Sequence, residues 1–127
     1  MERKIINTNK APLPIGAYNQ AIVTNGFIFT AGQVPIDPAT GNLIEGNFKE
    51  RVRQVMKNLN NILEESGSTF SNVAKFTVFL TDMSNYAAVN EVFSEFIKES
   101  HAPARSLVEV STLPAGTDIE IECIATV

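Results

Sequence analysis

"VAKFTVFL", residues 73–80, is dense in β-branched and aromatic side chains and reads as a strand. Successive side chains of a strand alternate, so Ala74, Phe76, Val78 and Leu80 point one way, with Val73, Thr77 and Phe79 opposite. Both sets are largely apolar, and a strand that is apolar on both faces is buried on both. The fold therefore turns on what the rest of the chain can lay over each face.

On either side of this strand lies a helical pattern. From Phe48 to Ser66, residues Val52, Val55, Met56, Leu59, Ile62 and Leu63 recur at intervals of three and four, one apolar stripe of an amphipathic helix with Gly67 as its terminator. A second helix is predicted from Ser84, as N-cap, to Glu99, with Tyr86, Val89, Phe93, Phe96 and Ile97 inward and Asn90 inside the same stripe. Farther out, "AIVTNGFIFTAGQ" (21–33) holds two apolar runs around Asn25-Gly26, the signature of a tight hairpin. "VPIDPATGNLIEG" (34–46), with its prolines and glycines, is turn and connector. "RSLVEV" (105–110) and "DIEIECIATV" (118–127) supply two more strands.

The order is hairpin, helix, strand, helix, two strands: an α+β domain with a mixed sheet and two helices packed on one face, occupying residues 1–127 as a single domain. Nothing remains to cover the second apolar face, so self-association is expected. Alternation sets Ser106, Val108 and Val110 on the more apolar side of their strand and Arg105, Leu107 and Glu109 on the other. In the last strand Ile119, Ile121, Cys123 and Ala125 are the core side, with Asp118, Glu120 and Glu122 opposite. Arg105 and Glu120 are thus expected to project from the face away from the helices, into a partly desolvated crevice where subunits meet and a carboxylate binds strongly.

Composition narrows the chemistry. Ten Lys plus Arg against fourteen Asp plus Glu, net charge -4, exert no general pull on a phosphate backbone, so no nucleic-acid partner is expected. No stretch has the length to span a bilayer, and "MERKIINTNKAPLP" lacks the apolar core of a secretion signal. The lone Cys123, in an apolar run, fits a buried thiol and a cytoplasmic setting. His101 is the one histidine and reads as an exposed loop residue, with no second histidine or cysteine cluster to make a metal site. No G-x-S-x-G elbow and no glycine-rich phosphate signature occurs, so no cofactor is expected. A reaction on this chain would rest on binding, positioning and a single carboxylate.

Five segments, "GAYNQA" (16–21), "FTAGQVP" (29–35), "TVFLTDMSNYAAVNEVF" (77–93), "PARSLVEV" (103–110) and "IEIECIA" (119–125), resemble in order and spacing the Rid or YjgF family of reactive-intermediate deaminases, closest to its RidA branch. The resemblance implies a chorismate-mutase-like homotrimer with clefts between subunits. It implies cofactor-free hydrolysis of small 2-imino acids and enamines, among them 2-aminoacrylate and 2-iminobutanoate, to 2-keto acids and ammonia. It further implies that Arg105 pairs with the substrate carboxylate, that Glu120 orients or activates water, that Tyr18 and Gly32 line the cleft, and that Asn90 is the family's helix asparagine. Two positions depart: Ala31 stands where many members carry serine and Leu107 where they carry cysteine, so neither can be an obligatory nucleophile here.

Each assignment has a plainer counterpart. Arg105 could pair with Glu109 or with an acid of a neighbouring subunit, since paired charges are common at interfaces. Glu120 could be a solvated strand residue, Asn90 a structural hydrogen-bonder and Tyr18 interface packing. Competing functions are a non-catalytic 2-keto acid sensor on the same scaffold and an RNA-directed role, the latter disfavoured by the acidic composition.

Overall fold

A computed structural model describes residues 2–127. In chain order the elements are β1 (Lys4–Ile6), β2 (Ala21–Thr24), β3 (Phe27–Thr30), β4 (Ile36–Asp37), β5 (Asn42–Leu43), α1 (Phe48–Glu65), β6 (Val73–Leu80), α2 (Tyr86–Phe96), β7 (Ala104–Glu109) and β8 (Ile119–Thr126). Six strands form one mixed sheet ordered β1-β2-β3-β8-β6-β7, in which β7 runs parallel to β6 and every other pairing is antiparallel.

Both helices cover one face. In α1, Val52, Val55, Met56, Leu59, Ile62 and Leu63 are fully buried. Each such aliphatic side chain contributes roughly 1.5–3 kcal/mol by leaving water. Asn47 caps its N-terminus by accepting from the Glu50 amide at 2.9 Å. At the other end the Gly67 and Ser68 amides fold back to Glu64 O and Leu63 O, with Gly67 at φ 83. That Schellman closure needs a left-handed residue, hence glycine. Against this layer lie Phe76, Val78 and Leu80 of β6 and Ile119, Ile121, Cys123 and Ala125 of β8. The Phe76 and Phe93 rings meet edge-to-face, centroids 5.1 Å apart.

The Asn25-Gly26 hairpin forms as expected, with both residues at positive φ, 55 and 82, and Thr24 paired to Phe27. Several expectations need correction. The run at 4–6 adds an edge strand to β2, and the 34–46 connector closes on itself as the β4–β5 ladder. In β6 a register shift between Val73 and Lys75 turns Val73 into the core and leaves Ala74 exposed, so the alternation read across that point is inverted. α2 starts at Tyr86 rather than after Ser84, because residues 83–85 form a separate 3-10 turn capped by Asp82, which accepts from the Ser84 amide at 2.9 Å, and Asn85 leads into α2 without a side-chain cap. It stops at Phe96, where Ile97 is extended, and the buried contacts of α2 include Val92, absent from the predicted stripe.

The opposite face carries a row of cross-strand neighbours, Ile5, Ile22, Phe29 and Ile124, with Phe79 beside Val108 farther along. Phe29 is 44% exposed and Phe27 43%. This is the uncovered apolar face predicted from the alternation of β6. No helix among the described residues is long and apolar enough to cross a membrane.

Candidate functional site

The site is built from two groups of residues that the sheet holds apart. Arg105 pairs in register with Phe76 and Leu107 with Val78, and cross-strand partners share a face. Both therefore lie on the helix side, and Leu107 packs against the core. Glu120 pairs with Phe79, on the uncovered face, together with Ser106 and Val108. The expectation that Arg105 and Glu120 share the uncovered face, with Ser106 and Val108 inward, is thus corrected. Alternation within β7 is right, but the parallel register to β6 sets its parity. Asp118 is corrected too. It precedes β8 and binds Arg51 of α1 through two contacts, Nε to Oδ1 at 3.0 Å and Nη2 to Oδ2 at 2.7 Å.

Around Arg105 the helix presents Tyr86, Asn90 and Phe93, residues i, i+4 and i+7, on one stripe. The guanidinium donates through Nη2 to Asn90 Oδ1 at 2.7 Å. Its central carbon lies 5.1 Å from the Phe93 centroid and 5.8 Å from that of Tyr86, distances of cation–π contact. Asn90 is exposed rather than buried in the apolar stripe, its amide oxygen spent on Arg105. No carboxylate pairs with Arg105 among the described residues. Glu109, the plainer partner weighed from the sequence, instead accepts from the Met83 amide at 2.8 Å. A cavity of about 450 Å³ opens beside the guanidinium, floored by Phe76, Phe93, Ile97, Ala102 and Pro103.

β7 is the edge of the sheet. The Val110 amide donates to Leu80 O at 2.7 Å, which fixes the phase of the ladder. Alternate residues of a parallel strand turn their main chain to the same neighbour, so Arg105 and Leu107 turn theirs outward. An anion at this edge would find amide donors beside the fork of Arg105.

The second group lies around Gly32. A Cβ there would stand 2.7 Å from Glu120 Oε2 and 2.8 Å from its Cδ, so only glycine leaves the carboxylate room against the main chain. Burial, and secondarily the charge of Glu122, hold the Glu120 carboxyl above the ordinary carboxylate range. Ala31 is fixed by its amide, which donates to Gln20 O at 2.8 Å. Tyr18 lines a cleft of about 390 Å³ with Gly32 and Gln33.

Tyr86 and Phe93 as the bed of Arg105, and Gln20 as the anchor of the segment before Tyr18, are neighbours of the candidate site that the sequence reading left unassigned. The 86/90/93 spacing was the available signal for the first two. Gln20 is buried, with Oε1 accepting from the Thr8 amide at 2.6 Å and Nε2 donating to Pro12 O at 2.7 Å and Thr8 O at 3.0 Å. Its signal was an amide placed directly before the apolar run Ala21-Ile22-Val23. Among the described residues no group of three or more His, Cys, Asp or Glu could hold a metal ion.

Comparison with known proteins adds the family. A profile described as Endoribonuclease L-PSP matches residues 8–127. A RutC family protein of Synechocystis is 50% identical over 126 residues, covering 98% of this chain and 97% of its own. The 2-iminobutanoate/2-iminopropanoate deaminase of Rattus norvegicus is 43% identical over 123 residues, covering 97% and 89%. The crystal structure of RidA from an Antarctic Psychrobacter superposes with a TM-score of 0.93 at 41% identity, covering 98% of this chain and 99% of that one.

Proposed function

The chain belongs to the Endoribonuclease L-PSP family, that of the Rid proteins, and on that premise we propose that it is a hydrolytic deaminase converting small 2-imino acids and their enamine tautomers to 2-keto acids and ammonia. It acts in the cytoplasm as a homotrimer, and its partners are these small acids.

One observation carries the reading. Arg105 is ordered by an amide and two aromatic faces yet answered by no carboxylate among the described residues. A guanidinium positioned at such cost without a counter-ion is a receptor for one. The substrate's carboxylate supplies it, bidentate on the fork.

Glu120 is the remaining reagent. It cannot reach a substrate held by Arg105 of its own chain, because the sheet lies between them. Glu120, Gly32 and Tyr18 of one copy therefore complete the Arg105 site of a neighbour, each cleft of the trimer joining two halves. Water adds to C2 of the C=N group while Glu120 accepts its proton and passes it to nitrogen. The resulting carbinolamine then loses ammonia, leaving the 2-keto acid. Ala31 and Leu107 need supply no nucleophile in these steps.

In a dehydratase-coupled assay, Arg105→Ala abolishes the accelerated formation of 2-keto acid while the oligomer stays intact. An unchanged rate in that variant rejects the deaminase. Binding of 2-oxobutanoate by wild-type protein without acceleration would replace it with a 2-keto acid sensor, and salt-sensitive RNA binding would point to an RNA-directed role.

A further inference from the structure

Residues 12–18, "PLPIGAY", form an arm whose apolar side chains are turned out to water: Ile15 is 94% exposed, Leu13 60% and Tyr18 51%. The arm is anchored at its base. Gln20 ties Thr8, Ala11 and Pro12 through one buried amide, and Asn61 of α1 donates to Lys10 O at 2.8 Å. An arm that leaves this anchor with a branched aliphatic side chain wholly in solvent leaves that hydrophobic area unburied within the chain.

The same chain carries an unfilled counterpart. The cavity beside Arg105, about 450 Å³, has an apolar floor of Phe76, Phe93, Ile97, Ala102 and Pro103 and is many times larger than a three- or four-carbon acid held by the guanidinium requires. The arm lines the cleft that contains Gly32, whereas the cavity adjoins Arg105. If the Glu120 half of one copy meets the Arg105 half of another, what flanks the first half must meet what flanks the second.

We propose that Ile15 of one copy seats as a knob in the cavity beside Arg105 of a second copy, a positioning residue that closes the shared cleft and keeps water from the guanidinium. This rests on the shared-cleft reading above. Displacing water there strengthens the pairing of guanidinium and carboxylate, so the knob acts on substrate affinity rather than on the chemical step.

Two measurements test it. In the double variant Ile15→Cys/Ala102→Cys, a short bismaleimide links separate chains into a ladder of covalent oligomers, and neither single variant does so. The native Cys123 stays silent, because burial pushes its thiol up to about 12. In kinetics, Ile15→Ser raises KM about tenfold, the change expected for loss of one buried aliphatic side chain, with kcat within about twofold. Ile15→Val recovers most of that affinity. Absence of links between chains, or a KM in Ile15→Ser equal to wild type, overturns the proposal. The ladder is read without activity, so a wild-type protein that fails to hydrolyse imines sinks the deaminase and leaves the knob to be decided by the cross-link.

Discussion

Arg51 and Arg105 are the same residue in opposite circumstances. Arg51 is answered by a carboxylate: Asp118 takes two of its N–H groups and Gly46 O a third, and the pairing with Asp118 holds its pKa above the ordinary value. Arg105 is oriented with equal care but receives only a neutral amide and ring faces. The acids divide likewise. Asp118, at the entry to β8, is spent on α1, whereas Glu120, two residues on, accepts no hydrogen bond from any described side chain and sits half-buried against Gly32. A closed pair joins elements of the fold, while an open pair of opposite charges, kept apart by a sheet, is held for something else.

Four variants break or sharpen that contrast. The largest effect belongs to Arg105→Lys, which keeps the charge but loses the planar fork. Deaminase kcat/KM falls about a hundredfold while the thermal midpoint stays within about 2 °C. A comparable loss of stability would make Arg105 a structural residue like Arg51. Next is Gly32→Ala, whose Cβ displaces the Glu120 carboxylate. Steady-state kinetics should show kcat down about tenfold with KM little changed. Arg51→Met reverses the pattern of Arg105. Chemical denaturation records a loss of about 1–2 kcal/mol, reduced from a fully buried pair because both side chains are partly solvated, with kcat/KM near wild type.

The smallest effect is that of Glu120→Gln on stability. In the folded chain this carboxyl is raised above its unfolded value, first by burial and then by Glu122. Its charge therefore weighs against folding once pH rises through the folded value, and the contribution it makes is present only in acid. Glu120→Gln, although inactive, should melt slightly higher than wild type near neutral pH and identically below about pH 4. Melting curves across that range check the sign.

Much of this contrast was legible in the residues. The two-sided apolar character of 73–80 announced a sheet face with no cover, and Phe27, Phe29 and Val108 lie there half-exposed. The Asn25-Gly26 hairpin, the stripe of α1 and the Gly67 stop followed from local periodicity and turn chemistry, which act within a few residues. What local pattern could not convey was parity between strands. The face that Arg105 occupies depends on its register with Phe76, a tertiary choice, and separately the irregularity at Val73–Lys75 turns Val73 inward and Ala74 out. Gln20 and Asn58 escaped notice for a related reason. Each is a buried amide whose partners, main-chain carbonyls such as Pro12 O and Ile36 O, become neighbours only when the chain is folded.

Subunit complementation tests the shared cleft most directly. Arg105→Ala and Glu120→Gln chains, each inactive alone, are unfolded, mixed in equal amounts and reassembled, and imine hydrolysis is measured. If Arg105 of one copy works with Glu120 of another, random assembly restores activity in about a quarter of the clefts, those drawing each intact residue from a different chain. A reassembled mixture as inactive as its components would contradict the account.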